Sequence, residues 1–66
     1  MSCVIIENII EKITEFNPVE FAPIFIDILT EVYDICPNEI IDTFIFLKEN
    51  YNEYYIQIMI MIGKGG

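Results

Sequence analysis

Apolar side chains recur along this chain at two spacings: three or four residues apart over most of its length, and two apart near its end. In the first segment Ile5, Ile6, Ile9, Ile10, Ile13 and Phe16 form one stripe, while Glu7, Glu11 and Glu15 fall on another side. Positions three and four apart share a helix face, so the pattern predicts an amphipathic helix from a cap at Ser2 to about Phe16.

Asn17-Pro18-Val19-Glu20 has the grammar of a new start, with an asparagine cap, a proline in the first turn and a glutamate three residues beyond the cap. Pro23 would sit inside that helix, where a proline lacks its N–H and costs roughly 3 kcal/mol. A single turn at 18–21, then a main helix from 23 to about 35, is therefore expected. Phe25, Ile28, Leu29 and Val32 would face inward, and Asp27, Thr30, Glu31 and Asp34 outward. Cys36-Pro37-Asn38-Glu39 repeats the start, and Ile40, Ile41, Phe44, Ile45 and Lys48 would share one side of a third helix. The likeness of residues 17–21 to 36–40 is what two helices beginning by the same rules would show; a solenoid needs more repeats.

Asn50 and Glu53 can cap a fourth segment. There Tyr54, Ile56, Ile58, Ile60 and Ile62 alternate with Tyr55, Gln57, Met59 and Met61, which suits a strand as well as a helix buried on all sides. A lone strand has no partner among helices except a copy of itself, so a helix is the expectation. The fold class predicted is all-α: a small bundle of three to four short helices forming one domain over 1–62 and self-associating, with a flexible tail at 63–66.

The terminal segment also supplies the main functional argument. Fully burying an Ile or Met side chain is worth roughly 1.5–3 kcal/mol, so leaving most of 56–62 in water forfeits on the order of 10 kcal/mol. That rivals the ~5–10 kcal/mol total stability of so small a domain. Three short helices can cover one face of the segment but hardly all sides. Tyr51, Tyr54, Tyr55, Ile58, Met59, Met61 and Ile62 are therefore candidate partner-binding residues, the tyrosines as amphipathic contacts and the methionines as adaptable ones.

Charge sharpens this picture. Eleven acidic residues against three lysines give a net −8 in 66 residues, with no arginine. So few cations cannot neutralise phosphates, which argues against direct nucleic-acid binding and against anionic membrane surfaces. Glu7-Glu11-Glu15, Asp27-Glu31-Asp34 and Glu39-Asp42 place like charges about one turn apart, each pair costing a helix roughly 0.2–0.5 kcal/mol. The excess acid either keeps an apolar protein in solution or meets a basic partner; on the second reading Glu11, Asp27, Glu31 and Asp34 are candidate contacts.

Candidate chemistry is sparse. With no histidine and two distant cysteines, no structural zinc set can be assembled, and a thiol at Cys3 or Cys36 lacks its usual activating base. Asp27 with Glu31 and Glu49 with Glu53 read as solvated faces rather than cation ligands. No phosphate-binding glycine loop opens a helix, and Gly65-Gly66 reads as a frayed end. No enzyme activity, metal or cofactor is expected. One disulfide is arithmetically possible, but two cysteines make no framework. No leader-like apolar stretch appears, and the terminal run falls well short of the ~20 residues of a membrane span. A cytoplasmic protein with reduced thiols is expected. Its expected role is non-enzymatic binding of another protein, of the inhibitor, antitoxin, immunity or regulatory type. The alternatives are a DNA-mimic that blocks a nucleic-acid-binding protein, and a structural subunit of a helical assembly.

Overall fold

A computed structural model describes residues 3–65. Among them are four helices, α1 (Val4–Glu11), α2 (Pro18–Val32), α3 (Pro37–Asn50) and α4 (Asn52–Gly65), a 3₁₀ turn at Ile13–Glu15, and no strand. The all-α class and the helical reading of residues 54–62 both hold. The Cα radius of gyration is 11.0 Å, matching the ~11 Å of a compact chain this long. No helix therefore stands away from the others.

Local chemistry explains most boundaries. Asn17 caps α2, its Oδ1 accepting from the Glu20 N–H at 2.9 Å, with Pro18 in the first turn. Pro37 opens α3 in the same way. The first helix is shorter than its stripe suggested: it ends at Glu11, and a 3₁₀ turn carries Ile13 into the core. The cap expected at Ser2 lies outside the described residues, and Cys3 flanks the helix without a side-chain cap bond.

Three expectations are corrected. Pro23 does not split the second segment, which is one continuous helix. Its missing N–H would have bonded the carbonyl of Val19, and both residues lie on the exposed side of α2, where water can take the freed acceptor. Asn50 does not cap the fourth helix. It ends α3, its Nδ2 donating to the Phe46 carbonyl at 3.1 Å, while Asn52 Nδ2 donates to the Lys48 carbonyl at 3.2 Å. Tyr51 alone forms the corner, its carbonyl accepting from the N–H groups of Tyr54 and Tyr55. Finally, the tail expected at 63–66 is helical through Gly65, and Gly66 lies outside the described residues.

The main core is built where α2, α3 and α4 meet. Ile13, Phe21, Ala22, Phe25, Leu47 and Ile58 are fully enclosed there. Phe21 stacks on Phe25 with centroids 5.4 Å apart, and Tyr54 meets Phe21 edge-on at 5.4 Å. Such ring pairs add about 0.5–1.5 kcal/mol beyond the area they bury. In α3 the inward stripe is Ile40, Phe44 and Leu47, while Ile41 and Ile45 face out. The expected single side of Ile40, Ile41, Phe44, Ile45 and Lys48 is therefore corrected: the helix is apolar on two sides, and packing selects the one that contains Leu47.

A smaller cluster of Ile6, Val32 and Cys36 holds α1. The expected reduced thiols are not found: Cys3 and Cys36 are joined as a disulfide with Cα atoms 6.5 Å apart. The first helix packs only sparsely on α2, so this bond is its strongest tether. No described helix is long and apolar enough to cross a membrane.

Candidate functional site

The structure divides the terminal segment in two. Ile58, at the centre of α4, has no exposure, and residues near its phase turn toward α2 and α3. Tyr54 is fixed by its hydroxyl, which donates to the Phe16 carbonyl at 2.6 Å. Tyr55 sits edge-on to Phe44 at 6.5 Å, and Tyr51 packs between Phe46 and Tyr54. Met59 is half-buried against the core. Of the seven residues expected to meet a partner, these five are wholly or partly engaged within the chain, and Met61 and Ile62 remain exposed.

The opposite side of α4 carries Ile56 and Ile60, one turn apart and 45% and 43% exposed. Both lie in the apolar stretch expected to meet a partner but are not among its named candidates, because strict alternation gives no way to choose a helix phase. The signal that finds them is their offset from the buried Ile58: two residues away on a helix is about half a turn. Space beside Gly63 is open, so the backbone at the end of this stripe is also accessible.

The acidic candidates separate as well. Asp27 and Glu31 lie exposed on α2 and Asp34 in the turn after it, while Glu11 lies on α1. Glu11 lines an open groove of about 310 Å³ between α1 and α3. The groove is floored by Ile6, Ile10 and Phe46, and Glu7, Glu39 and Asp42 join Glu11 around it. The acidic pattern in the sequence contained all four carboxylates, but nothing in it brought residues 7 and 11 to face 39 and 42.

Among the described residues no group of His, Cys, Asp or Glu is placed to hold a metal ion, and no cysteine is free. None has a buried side-chain polar atom left without a hydrogen bond. No protein-family model, curated protein or solved structure matches this chain.

Proposed function

We propose that this chain is a small non-enzymatic protein-binding module of the inhibitor, antitoxin, immunity or regulatory type. It self-associates through the outer face of α4, and its acidic helix faces guide the encounter with a basic partner. The observation that carries this reading is the amount of apolar surface left accessible. Among the described residues thirteen large apolar side chains are more than a third exposed, beside nine buried hydrophobic ones and a half-buried shell packed against them. Single exposed hydrophobes are ordinary, but a run of them on one helix marks an interaction surface.

Ile56 and Ile60 make a pair of this kind on the outer side of α4 with Met61 at its edge, while Ile62 lies one turn beyond the buried Ile58, beside Ile26, Leu29 and Tyr33. Gly63 beyond Ile60 offers no side chain to hold a second helix away. A copy of the same helix, laid antiparallel, would cover this face with matching groups, as two-fold assemblies do. A net charge of −8 opposes that pairing, so association tightens as salt screens the repulsion. A protein held by a cystine fits an oxidising compartment better than the reducing cytoplasm.

Size-exclusion chromatography with light scattering tests the reading. The full chain is expected to run as a dimer or larger. Ile56→Glu with Ile60→Glu should run as a single copy with its helical circular dichroism unchanged. A wild-type chain that stays a single copy at every concentration, and captures no protein, would count decisively against it.

A further inference from the structure

We propose that the groove between α1 and α3 is the docking site for a lysine- or arginine-bearing amphipathic helix of a partner protein. This rests on the protein-binding reading above and supplies the partner's chemistry, on a surface separate from the outer face of α4.

Three features of the groove argue for that occupant. Its floor is apolar, with Ile6 and Ile10 from one wall and Phe46, 41% exposed, from the other. Its rim is acidic on both sides, Glu7 and Glu11 along α1 and Glu39 and Asp42 along α3. None of the three lysines lines it, and among the described residues none of these four carboxylates has an ion pair or side-chain hydrogen bond. The charge is thus uncompensated from within the chain, and it surrounds a surface that water solvates poorly. A metal ion does not fit, since the carboxylates do not converge on a point.

A basic amphipathic helix matches both the floor and the rim. Glu7 and Glu11 are one turn apart, a rise of about 6 Å, which is also the spacing of two lysines four residues apart on a partner helix. An apolar side chain between them would enter over Ile10 and Phe46. The lysine or arginine stems can lie along the same apolar floor while their heads reach the rim. The groove's roughly 310 Å³ admits a few side chains rather than a folded surface, which favours a single helix. Its walls are already set: the disulfide joins Cys3, just before α1, to Cys36, just before α3. A cleft tied at one end loses less freedom when it is filled.

The test uses the full disulfide-bonded chain and two synthetic amphipathic peptides of one leucine pattern, one bearing lysines and the other glutamates. Isotope-labelled protein is titrated with each and followed by amide chemical shifts. The lysine peptide is expected to bind saturably, with the largest shifts along α1 and the first three turns of α3; the glutamate peptide should leave the spectrum unchanged. Glu11→Lys with Asp42→Lys should weaken binding about tenfold or more, whereas Glu20→Lys with Glu53→Lys, an equal change of net charge away from the groove, should weaken it less than about threefold. Phe46→Ala is the apolar counterpart and should also weaken it, with circular dichroism reporting that each variant is folded.

Equal losses from the two charge reversals would overturn the proposal, because the peptide would then be reading net charge alone. Shifts centred on Ile56 and Ile60 would overturn the groove while leaving the protein-binding reading in place. Absence of saturable binding by the lysine peptide would overturn it as well, and the oligomeric state measured above would still decide the wider reading independently.

Discussion

Ile58 and Ile60 are the same residue type two positions apart, and their surroundings differ completely. Ile58 has no exposed surface and packs in the main cluster, while Ile60 is 43% exposed. Ile58→Ala should therefore cost about 2–5 kcal/mol, through lost burial and the cavity left behind. Ile60→Ala should change stability by about 0.5 kcal/mol or less. Urea denaturation of the two variants, at a concentration where the chain is a single copy, gives the comparison. Tyr54 is held in a different way. Tyr54→Phe keeps the ring against Phe21 but removes the donor to the Phe16 carbonyl. A loss of about 0.5–1.5 kcal/mol is expected, typical of one hydrogen bond. Both effects separate an anchoring role from the partner-binding role that composition suggested for these positions.

Among the elements, α1 depends most on a single covalent link. Its packing on α2 is sparse, and the cluster it joins contains only Ile6, Val32 and Cys36 as buried members. The disulfide closes a separation of 33 residues, for which loop-closure entropy gives about 3–4 kcal/mol. Replacing both cysteines by serine should cost about that much, with α1 amides losing hydrogen-exchange protection before those of α2 and α4. Equal loss of protection across all four helices would show that α1 is not the separable unit. In α2 the relevant position is Pro23. Pro23→Ala restores the N–H that can bond the Val19 carbonyl, and it should stabilise the chain by about 1–2 kcal/mol after the unfolded state regains freedom. The sequence had marked this proline as a breaker. Its position one turn into a helix, on the wet side, is why it is tolerated.

For the whole molecule the governing facts are the exposed apolar side chains and the net charge of −8. They act in opposite directions on association, one favouring contact and the other opposing contact between copies. Raising salt should therefore strengthen self-association and weaken binding of a basic helix. Light scattering and the peptide titration, run over the same salt series, would read the two trends. Peptide binding that strengthens with salt would mean that the carboxylates do not drive it.

Sequence by itself determined the helical class, the start signals at Pro18 and Pro37, and the presence of an apolar terminal segment. These follow from local chemistry: caps, proline geometry, and the three-to-four-residue spacing of side chains. Tertiary structure alone decided which side of α3 and α4 is buried, since both helices are apolar on more than one face and only their packing selects Leu47 and Ile58. It also decided that Cys3 meets Cys36, and that Glu7 and Glu11 face Glu39 and Asp42 across a common floor. Distances between residues so far apart in the chain are set by how helices stack, and no local pattern encodes them.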